Sequence, residues 1–157
     1  MQKITACLWF DDQAEAAARF YTSIFKNSKM GKISRYGEGA PRPKGSVLTV
    51  SFRLDGQEFL ALNGGPTFKL SEAVSFIVNC QTQKEVDRMW DKLSEDGQQV
   101  QCGWLKDKFG LSWQIVPTIL GKLITDRDPA KSSRVMQALM EMKKLDIAAL
   151  KKAYAGR

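Results

Sequence analysis

The chain lacks the residue that most often carries acid–base chemistry near neutral pH, because none of its 157 residues is histidine. Proton transfer would therefore depend on a carboxylate or a thiol in a perturbed environment. The candidate catalytic residues are Asp107, which follows Trp104 and Lys106 on a short predicted strand, and Cys102. The alternative for Asp107, and the one its position favours, is a turn residue ahead of Phe109-Gly110.

The three cysteines, Cys7, Cys80 and Cys102, are odd in number and widely spaced. This pattern predicts reduced, mostly buried thiols and not a disulfide framework or a CxxC zinc site. Cys80 and Cys102 are also potential nucleophiles. With no histidine to activate them, a positive neighbour would have to lower the thiol pKa.

Aromatic and amide side chains form a second group of candidates, which would bind a ligand without reacting with it. Trp9 and Trp104 are predicted to line a cleft, and Asn63 and Gln114 end matching strands from which they would orient a ligand by hydrogen bonds. Because neighbouring strand residues face opposite sides, Trp113 should pack under a helix if Gln114 faces the cleft. The alternative for each aromatic residue is a place in the core.

The elements that must position these residues repeat after about seventy residues. Each half predicts a strand, a helix and several further strands, so we expect an α+β fold. The first half has a strand over 4–10, a helix over 13–25 capped by Asp11-Asp12, and strands over 30–36, 46–55 and 58–62 joined by an Asp55-Gly56 hairpin. The second half has strands over 73–78, 100–104, 106–107 and 111–116 and a helix over 83–93.

We expect residues 1–117 to form one domain of two modules, about 1–66 and 67–117, followed by a helical extension over 118–157. Asp128-Pro129 and Asp146 are predicted helix starts. A methionine-rich stripe between them could pack on its own domain or on a second subunit. The extension has 9 basic and 4 acidic groups, which account for most of the net charge of +7. This excess raises polyanion or nucleic-acid binding as an alternative function, although the interspersed acids disfavour it.

The composition is that of a globular protein, with 43% hydrophobic and 26% charged residues. No apolar run approaches the roughly 20 residues of a membrane span. The N-terminus lacks the features of a signal peptide. These observations predict a cytoplasmic protein without membrane partners.

Several stretches resemble the PhnB-like branch of the vicinal oxygen chelate (glyoxalase/bleomycin-resistance/dioxygenase) superfamily, often described as 3-demethylubiquinone-9 3-methyltransferase-like. They are LWFD at 8–11, FLALNGGP at 59–66, SFIVNCQT at 75–82 and, the most specific, CGWLKDKFGLSWQIVP at 102–117. The resemblance implies paired βαβββ modules, usually in a homodimer. It also implies a metal-ligand position in each of four strands, here at Thr5, near Ala61, near Ala73 and at Gln114.

A single amide and a hydroxyl cannot retain a transition metal, so we expect neither a metal ion nor another cofactor. The leading hypothesis is therefore a metal-free member of the superfamily that binds a small organic molecule between its modules, with or without an attached reaction. Methyl transfer, as the family description suggests, is the alternative. No glycine-rich turn follows the first strand to hold a methyl donor.

Overall fold

The computed structural model describes residues 2–157, which separate into two compact units that meet in sequence at Leu70 and Ser71. The first unit contains, in chain order, β1 (Ala6–Phe10), α1 (Ala14–Ile24), β2 (Lys29–Arg35), β3 (Val47–Leu54) and β4 (Gln57–Asn63). Its four strands form a sheet of order β1-β4-β3-β2, in which β1 and β4 are parallel and the other pairs antiparallel.

The second unit repeats this plan and adds helices to it. Its elements are β5 (Ser75–Cys80), α2 (Gln83–Ser94), β6 (Gln98–Gln99), β7 (Trp104–Lys106), β8 (Ser112–Pro117), α3 (Leu120–Ile124), α4 (Pro129–Met140) and α5 (Ile147–Ala155). The sheet order β5-β8-β7-β6 matches that of the first unit. The predicted α+β fold of two βαβββ modules is therefore confirmed.

Each sheet buries one face under its helix, and the opposite face is its open face. In the first unit the covered face carries apolar side chains that alternate along the strands, among them Leu8, Phe10, Val50, Phe52 and Ala61. The pattern follows the two-residue period of a strand. Residues between these positions are half-buried or exposed, and they make up the open face.

The C-terminal helices pack around an apolar cluster of their own, formed by Leu120, Leu123, Val135, Leu139, Leu145 and Leu150. Cys102 and Val116 of the same unit pack against this cluster. From the methionine stripe, Met142 joins the packing. Met136 and Met140 remain 43% and 60% exposed. No helix within residues 2–157 combines the length and apolar character needed to cross a membrane.

Two local predictions are wrong. The strand predicted over 100–104 is instead a turn over 100–103, because Cys102 and Gly103 adopt positive φ angles of 61° and 82°, and Trp104 begins β7. The helix α3 lies in the segment predicted to be helical, although it was not predicted as a separate element. Asp11-Asp12 does not cap α1, since Gln13 occupies the N-cap position without a side-chain hydrogen bond. The Asp128 and Asp146 caps and the Asp55-Gly56 hairpin are confirmed.

Candidate functional site

On the second unit, the open face brings together two of the predicted ligand-binding residues. Trp104 on β7 and Ile77 on β5 flank Gln114 on β8, each in direct register with it. Trp104 and Gln114 are half-buried, and Ile77 is 56% exposed. This row offers an aromatic ring, an amide and an aliphatic side chain in adjacent positions.

A polar cluster lies in the neighbouring row of the same face. The Gln114 amide donates from Nε2 to Ser75 Oγ at 2.9 Å. Ser112 is in register with Ser75 and Lys106, and alternation along β8 directs it to the same side as Gln114. Among the described residues, the buried Ser112 Oγ has no hydrogen-bond partner. A buried hydroxyl left unpaired costs free energy, so its presence calls for a partner such as a ligand or a water.

Lys106 closes this polar row with an ion pair to Glu72. The hydrogen bond from Lys106 lowers the pKa of the Glu72 carboxyl and so favours its charged form. Glu72 is largely exposed and Lys106 only partly so. The pair can therefore rearrange towards solvent at little cost, since exposed ion pairs contribute little to stability.

Trp113 faces the other side of β8, as predicted for the case in which Gln114 faces away from the helix. It is buried, contacts Phe76 at a ring-centroid distance of 5.7 Å, and donates from its indole nitrogen to Asp107 Oδ2 at 2.9 Å. Asp107 also accepts, through Oδ1, from the backbone nitrogens of Phe109 at 2.8 Å and Leu111 at 3.1 Å. Asp107 is thus a buried turn residue that orders the entry to β8, and its catalytic role stays a prediction.

The two cysteines considered as nucleophiles have surroundings of different kinds, one at an apolar cluster and one buried beside an acid. Cys102 lies at the apolar C-terminal cluster, with its sulfur 3.8 Å from Met140 Sδ. Burial, and then the charge of Glu85, raise the pKa of the Cys80 thiol to about 11. Reactive thiols need a lowered pKa and access to solvent, so these contacts give no support to thiol chemistry.

The other two predicted ligand-binding residues, Trp9 and Asn63, belong to the first unit and face opposite sides of its sheet. Trp9 is on the open face, where its indole nitrogen donates to Gly65 O at 2.9 Å and its ring meets Phe68 edge-on at 5.0 Å. Gly64 lies directly against the ring, with no room for a Cβ. Trp9 is therefore held rigidly beside the 62% exposed Phe68.

Asn63 is 5% exposed and lies on the covered face, next to α1. Its Oδ1 accepts from the backbone nitrogen of Ala14 at 2.8 Å, and its Nδ2 donates to Val47 O at 3.2 Å. Its backbone carbonyl accepts from the Tyr36 hydroxyl at 2.6 Å. These contacts are those of a helix cap, and a ligand would have to replace them to reach the side chain.

Sequence analysis missed two features of the open faces. One is the Ser75–Ser112 pair, which only strand register could have revealed. The other is a depression of about 440 Å³ on the first unit, lined in part by Lys29, Gly31 and Arg53. An isolated Gly in the strand predicted over 30–36 was the available signal, since such a glycine often marks a bulge or a close approach of backbone.

The four positions at which the resemblance implies metal ligands carry side chains that do not fit a metal ion. Ala61 is fully buried and Ala73 has no donor atom, and Thr5 offers only a hydroxyl. Gln114 donates from Nε2 to Ser75, and its amide oxygen alone would be a single neutral ligand, which does not hold a transition metal. Within residues 2–157, no group of three His, Cys, Asp or Glu side chains is arranged to hold a metal. No step through a metal is therefore derived for this chain.

The paired βαβββ modules define the class: this is the fold of the vicinal oxygen chelate superfamily. The fold is shared with a protein from Pseudomonas aeruginosa, with a TM-score of 0.62 and 17% identity over 74% of this chain and 98% of that one. It is shared too with the fosfomycin resistance protein FosX from Listeria monocytogenes, with a TM-score of 0.55 and 14% identity over 77% and 94% of the two chains.

Within that class, the chain belongs to the PhnB-like family described as 3-demethylubiquinone-9 3-methyltransferase, whose model matches residues 2–116. The PhnB protein from Bacillus cereus is 39% identical over 74% of this chain and all of that one, with a TM-score of 0.68. No curated protein is similar enough in sequence to count as a relative. The helices α3–α5 all follow the end of the family match.

Proposed function

We propose that the chain binds a small organic molecule on the open face of its second sheet, with Gln114 and Trp104 as the orienting residues. The observation that carries the proposal is the unpartnered, buried Ser112 hydroxyl beside Gln114. A ligand oxygen or nitrogen at this point would supply the missing hydrogen bond. An adjacent ring or branched chain of the ligand would contact Trp104 and Ile77.

This arrangement supports binding more directly than it supports a reaction. The polar groups on this face are two serine hydroxyls, the Gln114 amide and the Lys106–Glu72 ion pair. The candidate acid Asp107 accepts hydrogen bonds from three donors. An enzymatic step would therefore have to be supplied mainly by the reactivity of the ligand. Homodimerisation stays a prediction from the resemblance.

The test is a small-molecule screen by NMR, which follows the Trp104 indole and Gln114 amide resonances of the full chain. We expect the compounds that bind to shift both. The substitution Gln114→Leu should lower the affinity of these compounds about tenfold, which is the effect of losing one hydrogen bond in a desolvated site. The matched control is Gln101→Leu, since Gln101 is exposed in the same unit.

Ser112→Ala gives the second arm of the test. In the free protein it should leave stability unchanged or raise it slightly, because it removes a buried hydroxyl that has no partner. The same substitution should weaken the compounds found in the screen. A variant that loses stability and keeps full affinity would show that Ser112 serves the fold and not a ligand.

A further inference from the structure

The depression on the open face of the first unit has features that the proposed function does not use. Its volume of about 440 Å³ falls in the range of small-molecule sites, roughly 300–1,000 Å³. Its lining residues are Gln2, Thr5, Lys29, Gly31, Ser51, Phe52, Arg53, Glu58, Phe59 and Leu60. Three of these carry a formal charge, and they lie in one row across the sheet.

A bulge in β2 shapes the depression. The pairing of β2 with β3 shifts between Met30 and Ile33, where Gly31 lies so close to Ser51 that a Cβ would collide with it. The backbone nitrogen of Lys32 donates to Ser51 Oγ at 2.7 Å, which fixes the bulged segment. Bulges of this kind re-aim neighbouring side chains and often occur beside binding sites.

The charged row has more positive than negative groups. Lys29 and Arg53 are direct partners on antiparallel strands, and Arg53 is in turn the partner of Glu58. Arg53 Nη2 binds Glu58 Oε1 at 2.9 Å, which leaves one carboxylate for two cations. Like charges directly opposite each other destabilise a sheet, so the row gains from one further negative charge.

An apolar residue accompanies this charge. Leu60, half-buried on the same face, lies one strand away from Ser51. At the rim, Gln2 is fixed by hydrogen bonds of 3.1 Å to both backbone groups of Glu58. A ligand that satisfies the site therefore combines one negative charge with a short hydrocarbon body.

We propose that this depression binds an organic monocarboxylate, with its carboxylate between Lys29 and Arg53 and its hydrocarbon portion against Leu60. The guanidinium of Arg53 supplies donors matched to a carboxylate, and Lys29 adds a second charge from the adjacent strand. The surplus of a single positive charge selects a monoanion. Inorganic phosphate would use the charges and leave Leu60 uncovered.

The test measures binding of octanoate, octanol and inorganic phosphate to the full chain by isothermal titration calorimetry and NMR. We expect octanoate to bind most tightly and to weaken as salt is added. Lys29→Gln and Arg53→Gln should each weaken octanoate at least about tenfold, since a hydrogen bond to a charged group contributes that much or more. The matched control is Lys32→Gln, a cation of the same strand that does not line the depression.

Thermal unfolding without ligand separates binding from folding. Lys29→Gln should leave the melting temperature unchanged or raise it, because it removes the cation opposite Arg53. Octanol binding as tightly as octanoate, an equal loss with Lys32→Gln, or no octanoate binding up to about 10 mM would each overturn the proposal. Gln114→Leu should leave octanoate affinity unchanged, so this site and the proposed function can fail independently.

Discussion

Most of the candidate site residues of this chain make contacts that stabilise the fold. Asp107 illustrates this, because a carboxylate buried at a turn would be a candidate acid on sequence grounds alone. Three N–H donors occupy it, and one of them is the indole of Trp113. Ser112 differs, since its buried hydroxyl has no such partner. The absence of a partner, more than residue type, marks where a ligand would be recognised.

Cys80 allows a pH prediction at the scale of one side chain. Burial raises its thiol pKa from the ordinary 9.0 to about 11. Between these values the unfolded chain releases the proton and the folded chain keeps it. The resulting stabilisation is therefore complete below pH 9 and is lost as pH rises towards about 11, a total of about 2–3 kcal/mol.

The measurement compares urea unfolding of the wild type and Cys80→Ala at a series of pH values from about 8 to 11. The truncation removes a buried sulfur, and the packing that it loses does not depend on pH. The unfolding free energy of the wild type minus that of the variant should fall as pH rises, because only the wild type carries the shifted thiol. A difference that stays constant across the series would contradict the assigned cause.

At the scale of elements, some helix N-termini are capped by residues nearby in sequence and one is capped by a distant residue. The caps of α4 and α5 are acids two and three residues from the nitrogens they bind, and both were predictable. The N-terminus of α1 is instead bound by Asn63, which is 49 residues away in sequence. No local pattern contains that contact, which exists only once β4 lies beside β1.

Asn63→Ala should lower the unfolding free energy by about 1–2 kcal/mol, the usual effect of removing a helix cap. The loss of its bond to Val47 O should place the effect at the upper end of that range. The matched control is Asp12→Ala, which removes an exposed acid from the predicted cap and should change stability by less than about 0.5 kcal/mol. Equal effects of the two substitutions in urea unfolding would show that Asn63 does not cap α1.

Most of the fold was predictable because apolar alternation and helical spacing are local signals that tertiary contacts reinforce. The turn at 100–103 was not, since Cys102 adopts a positive φ that non-glycine residues seldom take. Of the candidate site, the sequence specified Trp104 and Gln114, and the structure adds that they are register partners. Ser112 and the Lys29–Arg53 pair depend on register across strands, which is fixed by non-local packing.

At the scale of the whole molecule, several of the cations that give the net charge of +7 make contacts within the structure. Arg134 donates to the carbonyls of Ala153 and Tyr154 at the end of α5, both at 2.9 Å. Lys144 pairs with Asp87 at 3.1 Å, and Lys131 lies over the Tyr154 ring. Arg134 and Lys131 make these contacts within the extension, and Lys144 joins the extension to α2 of the same unit. Cations engaged in this way weaken the case for a continuous polyanion-binding surface.

The choice between ligand binding and methyl transfer is also tested on the whole molecule. The turn from β1 to α1 contains Asp11, Asp12 and Gln13 in place of glycine, and the first helical nitrogen, that of Ala14, is taken by Asn63. We therefore expect S-adenosylmethionine to leave the melting temperature unchanged. A donor present at 100 times its dissociation constant would stabilise the fold by about 2.7 kcal/mol, which for a chain of this size is a shift of several degrees. The positive control is a compound that shifts the Trp104 resonance, which should raise the melting temperature in the same preparation. A saturable rise in melting temperature with S-adenosylmethionine would favour methyl transfer over the proposed function.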